Sequence, residues 1–147
     1  MEVGPAALTF ANGAKATGLS ASTLVQRYGT RDAMIESVLL HAWHQLEAAT
    51  SAADRDLPLT PAGAVALLMR LMPPERAEEN ATNGLLLLRE DIANPVLRAR
   101  GGAWGHQLAA ALGRRLTADA DSMERLGWQM ASVWQGAHIW WAFTRDK

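Results

Sequence analysis

Four side chains in one short segment are hydrogen-bonding types suited to base edges in a major groove: Ser22, Thr23, Gln26 and Arg27. In a helix over residues 21–28, Leu24 and Tyr28 lie four residues apart and turn inward, which leaves the four polar side chains outward. Three further residues, Thr9, Ser20 and Arg31, lie near predicted helix ends, where caps form and phosphates bind. The predicted surface for double-stranded DNA therefore has seven members: Thr9, Ser20, Ser22, Thr23, Gln26, Arg27 and Arg31.

Tryptophan and methionine provide a second candidate chemistry. Six tryptophans are many for 147 residues, and four of them fall between Trp128 and Trp141. They either fill a helical core and a dimer interface, or line an apolar cavity for a hydrophobic or aromatic effector. Such a cavity would lie between the helices that begin near Thr60, Glu75 and Asn94. The candidate ligand-binding residues are Met69, Met72, Leu88, Trp104, Trp134 and His138.

Catalytic and metal chemistry find little support. His41 and His44 are three apart on a helix, but no carboxylate or third histidine pairs with them. The run from Gly18 to Ser22 lacks the pattern of a serine-nucleophile elbow, and Gly101-Gly102 lacks the lysine of a phosphate loop. We therefore predict no catalytic residue, no metal and no cofactor, and a protein that is not an enzyme.

Composition indicates a helical protein without disulfides. The chain has no cysteine, no apolar run of about 18 residues and no signal-peptide pattern, so we expect no membrane partner and a cytoplasmic location. Alanine and leucine dominate over β-branched residues, which predicts an all-α fold. The expected helices cover residues 6–17 (capped by Thr9), 21–28, 31 to about 51, 61–72, 75–92, 95–116 and 120 to nearly 145.

The segment from Gly18 to Met34 resembles the DNA-binding end of TetR-family transcriptional regulators. It contains Gly-Leu-Ser, a short helix, the aromatic Tyr28 and the basic-acidic pair Arg31-Asp32. Asn-Pro-Val-Leu-Arg at residues 94–98 and the glycine followed by bulky apolar residues at 133–141 are similar to patterns in the family's last two helices. The resemblance implies a helix-turn-helix head over residues 1–44 and an effector-binding and dimerisation body over 45–147. It further implies a repressor that a small hydrophobic effector releases from its operator.

The start of the chain departs from the family pattern. The family has an additional first helix, for which the sequence before Gly4-Pro5 is too short. Gly13 stands where the family has Ile or Val, so we expect a hole there and weak protection of the head. Residues 1–44 carry as many acidic as basic side chains. Either the natural start lies upstream, or the head is a relic, and the alternative function is a non-DNA-binding helical dimer that acts as a sensor or scaffold.

The last helix carries two adjoining apolar faces, more than it needs to pack on its own chain. We therefore predict a two-fold homodimer joined through the last two helices. The second face comprises Met123, Leu126, Met130, Val133, Ala137 and Trp140. The expected interface residues are Trp104, Leu108, Gly127, Ala131, Trp134, His138 and Trp141.

Overall fold

The computed structural model describes residues 9–79 and 84–145 of the chain. These residues form helices and connecting turns without a strand, which confirms the predicted all-α class. The helices are α1 (Phe10–Thr17), α2 (Ala21–Tyr28), α3 (Arg31–Asp56), α4 (Pro61–Leu71), α5 (Ala77–Glu79), α6 (Leu85–Ala93), α7 (Pro95–Leu116) and α8 (Ala120–Thr144). A 3-10 turn, Pro74–Arg76, precedes the three-residue α5. In the described part of the chain, no helix combines the length and the apolar character that crossing a membrane requires.

Polar side chains cap the starts of five helices. The side chains of Thr9, Ser20, Thr30 and Thr60 each accept a hydrogen bond from the backbone N–H three residues later, at 3.1–3.2 Å. Asn94 caps α7 through Val96 N at 2.8 Å. Each such bond satisfies a backbone donor at a helix start and contributes about 1 kcal/mol.

Two glycines end the first two helices. Gly18 has φ 71° and Gly29 has φ 73°, a left-handed region in which a Cβ would be strained. Only three residues, Gly18 to Ser20, separate α1 from α2, so the second helix turns back and packs against the first. The predicted bounds of the second helix, Ala21–Tyr28, are confirmed.

The third helix is longer than predicted. α3 continues to Asp56 through residues that we expected to form a loop, because tertiary contacts hold its last turn. Ala53 is fully buried, and Asp54 and Asp56 accept hydrogen bonds from arginines of α7 and α4. The predicted boundary between residues 44 and 45 therefore lies within one continuous helix.

The expected single helix over residues 75–92 is wrong at its start. Pro73 and Pro74 lack backbone donors, and the chain after them forms a 3-10 turn before the short α5. α6 begins at Leu85, and residues 80–83 of the predicted helix lie outside the described ranges.

The main core lies where α3, α4, α7 and α8 meet. Its buried residues are Ala53, Ala64, Leu67, Leu68, Leu108, Ala111, Leu112 and Ala131. α7 and α8 approach closely because glycines lie at their contact: a Cβ on Gly127 would overlap the carbonyl of Ala109, and one on Gly113 would overlap the carbonyl of Met123. This close contact orients the remaining faces of α7 and α8, which include the tryptophans.

A buried arginine joins the ends of α3 and α7. The Arg115 side chain is completely covered and donates to Asp54 Oδ1 at 2.5 Å. It also donates to three backbone carbonyls, those of Ala111, Asp54 and Leu57, at 2.7–3.0 Å. Arg114 donates to the other oxygen of the same carboxylate. Asp54 and Arg115 therefore hold the end of α3 against α7.

Candidate nucleic-acid surface and effector cavity

The α2 helix presents a polar outer face at one end of the molecule. Leu24 is its buried residue, with 5% of its surface exposed, whereas Ser22, Thr23, Gln26 and Arg27 are all exposed. The Arg27 guanidinium lies over the ring of Tyr28 at 5.4 Å. The four residues therefore share the outward position that their spacing predicts.

The expected hole at Gly13 is absent. A Cβ built on Gly13 would lie 3.1 Å from Leu24 Cδ1 and 3.8 Å from the sulfur of Met34. The missing side chain is thus replaced by Leu24 of α2, and glycine lets α1 approach α2 closely. The glycine is a packing feature rather than a cavity.

The Ser20 hydroxyl organises the start of α2. It accepts the backbone N–H of Thr23 at 3.1 Å and lies 2.8 Å from Ser22 Oγ and 2.7 Å from Thr23 Oγ1. The Thr9 hydroxyl similarly accepts the backbone N–H of Asn12. These hydroxyls therefore already have local hydrogen-bond partners. The outward side chains of α2 that are long enough to reach a ligand are those of Gln26 and Arg27.

A cavity of about 540 Å³ lies between α3, α6, α7 and α8. Three predicted ligand-binding residues, Leu88, Trp104 and Trp134, line its wall. Trp43 and Trp128 also line it and were not among the predicted residues. Its size is within the range of small-molecule sites, and its wall is mostly apolar.

Three predicted ligand-binding residues do not reach this cavity. Met69 belongs to α4 and Met72 directly follows it; α4 turns Ala64, Leu67 and Leu68 into the main core instead. His138 lies with Nδ1 2.8 Å from the backbone carbonyl of Trp134 and does not line the cavity. The walls of this cavity come from α3, α6, α7 and α8, and α4, the helix that begins after Thr60, does not line it.

Glycines on α7 make room for the unpredicted tryptophans. A Cβ on Gly101 would lie 3.1 Å from Trp43 Cζ2, and one on Gly105 would lie 2.7 Å from Trp128 Cη2. These glycines are four residues apart and share one face of α7. This spacing in a long helix was the available signal that large side chains approach there.

Two indole groups at the cavity have defined hydrogen-bond acceptors. Trp43 Nε1 donates to Asp91 Oδ1, and Trp104 Nε1 donates to Thr50 Oγ1, both at 2.9 Å. The two rings are tilted by 52° with centroids 5.7 Å apart. Burial raises the pKa of the Asp91 carboxyl, and the nearby Glu90 acts in the same direction, while the bond from Trp43 opposes both.

The predicted dimer interface divides into covered and exposed parts. Leu108, Gly127 and Ala131 are buried inside the chain, so assigning them to a dimer contact was wrong. The reason is that α7 packs closely on α8 at Gly127, and that Leu108 and Ala131 belong to the main core. Among the other predicted residues, Trp104 and Trp134 are partly buried beside the cavity, and the Arg145 guanidinium lies 5.3 Å from the ring of Trp141.

The second apolar face of α8 is exposed in its C-terminal half, whereas Met123, Leu126 and Met130 are partly buried. Val133 and Trp140 have 73% and 70% of their surfaces exposed, and Ala137 lies between them on the same face. Phe143 adds to this face, with its ring 6.1 Å from that of Trp140. A helix face with this much exposed apolar surface is typical of an interaction site.

Comparison with protein-family models, with characterised proteins and with solved structures gives no match for this chain. The resemblance to TetR-family regulators therefore stays a prediction from the residues.

Proposed function

We propose that this protein is a TetR-like DNA-binding transcriptional regulator, a repressor whose helical body binds a small, mostly apolar effector. The observation that carries this proposal is the arrangement of α1 and α2. Two eight-residue helices joined by a three-residue turn with a left-handed glycine have the layout of a helix-turn-helix. α2 would be the recognition helix, with Gln26 and Arg27 at base edges and Thr9 and Arg31 near phosphates.

The regulator acts as a homodimer in this proposal. The face of α8 that carries Val133, Ala137, Trp140 and Phe143 would pair with its copy around a two-fold axis. Two recognition helices would then enter successive major grooves of a near-palindromic operator. Exposed apolar area on a single chain supports this arrangement, since water is expelled when two such faces meet.

α3 would transmit effector binding to the DNA-binding end. It begins directly after α2 and contributes Trp43 to the cavity wall, so both sites share one helix. Next to the cavity, Asn94 Nδ2 donates to Glu36 of α3 at 2.6 Å, and Ile35 and Leu39 pack against Leu97. An effector that moves Trp43 or the start of α7 would shift α3 and change the separation of the two recognition helices. Such an effector releases DNA only if it binds the non-DNA-binding arrangement more tightly.

DNA binding can be measured by fluorescence anisotropy with the DNA upstream of the protein's own coding sequence, over a series of salt concentrations. We expect Gln26→Ala and Arg27→Ala to weaken binding by about 1–3 kcal/mol each, because each removes a base-edge contact. Arg125→Ala on α8 is the matched surface control and should bind like the unchanged chain. Unchanged affinity in both α2 variants, with folding intact, would refute the assignment of α2.

The alternative function is a helical dimer that senses or scaffolds without binding DNA. One observation favours it: the described residues 9–44 carry three basic and two acidic side chains, a weak charge excess for a domain that follows phosphates. Absence of salt-dependent DNA binding by a chain that is dimeric and binds small molecules would support this alternative.

A further inference from the structure

The end of α6 brings negative charge to the cavity. Asp91 and Ile92 belong to the last turn of α6, and both line the cavity wall. A helix C-terminus carries partial negative charge, and this last turn contains no basic residue. Asp91 is therefore placed where its own charge is unfavourable, with Glu90 beside it.

The Asp91 carboxylate has no cationic partner within the described residues. Its hydrogen-bond donor is the neutral indole of Trp43, and none of the ion pairs among those residues includes it. Arg98 is the basic residue of the described cavity wall, but its Nη1 donates to the Ile92 carbonyl at 3.1 Å. Arg98 is exposed and caps the end of α6, whereas Asp91 is half-buried. The charge nearest the apolar interior is thus negative.

Aromatic rings form much of the remaining wall. Four of the six tryptophans line the cavity: Trp43, Trp104, Trp128 and Trp134. The indole N–H groups of Trp43 and Trp104 are already bonded to protein acceptors, so these rings offer a ligand their faces and carbon edges. Tryptophan faces attract cations, and the attraction increases where water is excluded.

We propose that the cavity binds a lipophilic organic cation, with an aromatic body among the tryptophans and its positive group against the Asp91 carboxylate. The cavity volume of about 540 Å³ suits a molecule of two or three rings. That such a ligand is the effector rests on the proposed function, whereas its binding to the protein does not. The carboxylate supplies the selectivity, and the apolar wall supplies contact area.

Three probes of nearly equal shape test this in the absence of DNA: 1-methyl-4-phenylpyridinium, neutral 4-methylbiphenyl and anionic biphenyl-4-carboxylate. Isothermal titration calorimetry on the full chain should show the cation binding about tenfold more tightly than the neutral probe. Asp91→Asn keeps an oxygen acceptor for Trp43 Nε1 but removes the charge, so the preference for the cation should fall to about twofold or less. Glu124→Gln removes an exposed carboxylate of α8 outside the cavity and should leave the preference unchanged.

Equal or weaker binding of the cation than of the neutral probe would overturn the proposal, as would tighter binding of the anion. A cation preference that survives in a folded Asp91→Asn variant would also overturn it. The ranking of the three probes on the unchanged chain decides the matter if the variant does not fold. Cation binding that leaves DNA affinity unchanged would refute the proposed regulation but support the ligand class, so the two failures are distinguishable.

Discussion

Arg114 and Arg115 provide an internally controlled test of how burial and backbone hydrogen bonds change what an arginine contributes to stability. The two neighbours donate to opposite oxygens of Asp54, but the Arg114 side chain is 41% exposed and that of Arg115 is fully covered. Arg114→Met removes a solvent-screened pair and should lower the free energy of unfolding by less than about 1 kcal/mol. Arg115→Met also removes the donor to the Asp54 and Leu57 carbonyls at the end of α3, and should cost about 2–4 kcal/mol.

Asp54→Ala should be at least as costly as Arg115→Met. It leaves the buried guanidinium without its counter-ion, and breaking a buried pair in this way costs about 3–5 kcal/mol. Urea unfolding followed by circular dichroism measures all three variants, with the m-value showing whether the denatured state has changed. Equal losses for Arg114→Met and Arg115→Met would refute the reasoning, because the two side chains share one carboxylate, whereas only Arg115 is buried and bonded to backbone carbonyls.

Three further predictions concern the dimer, local stability and pH. Light scattering after size exclusion should give about twice the 15.9 kDa chain mass, and Trp140→Glu should shift the measured mass towards that of the monomer. A monomeric unchanged chain would contradict the dimer. Amides of residues 10–28 should exchange with solvent before those of α7 and α8, because Leu24 is the buried residue of α1 and α2; equal protection would contradict this. Since the folded-state pKa of Asp91 is raised, its ionisation lowers stability as pH rises through the interval between its unfolded and folded pKa values. Asp91→Asn should therefore gain stability relative to the unchanged chain near neutral pH, and lose that gain below the ordinary carboxyl pKa; a gain that does not vary with pH would exclude this cause.

The helix boundaries that depend on local chemistry could be predicted from the sequence. Helices begin at Thr60-Pro61 and Asn94-Pro95 because the first residue caps backbone N–H groups and the proline favours the first helical position. Both effects act within the first turn of the helix. Gly18 and Gly29 end helices because glycine readily adopts the positive φ found there. This preference belongs to the residue itself and does not depend on distant residues. The polar outer face of α2 follows from the same short-range spacing.

The extent of α3 and the identity of the cavity walls depended on tertiary structure. The residues around Asp54 looked like a loop by composition, and contacts with arginines on α4 and α7 make them helical. Likewise, an apolar residue of a helix can face the core, a cavity or a partner, and helical spacing alone does not distinguish these.

α8 illustrates both parts of this division. Its sequence determines an amphipathic helix that starts after Asp119 and carries two apolar faces. Only the packing decides that Gly127 and Ala131 are covered by α7 while Val133 and Trp140 stay exposed. The physical reason is that burial depends on which surfaces meet across the chain, whereas capping and helical periodicity depend on residues within one or two turns.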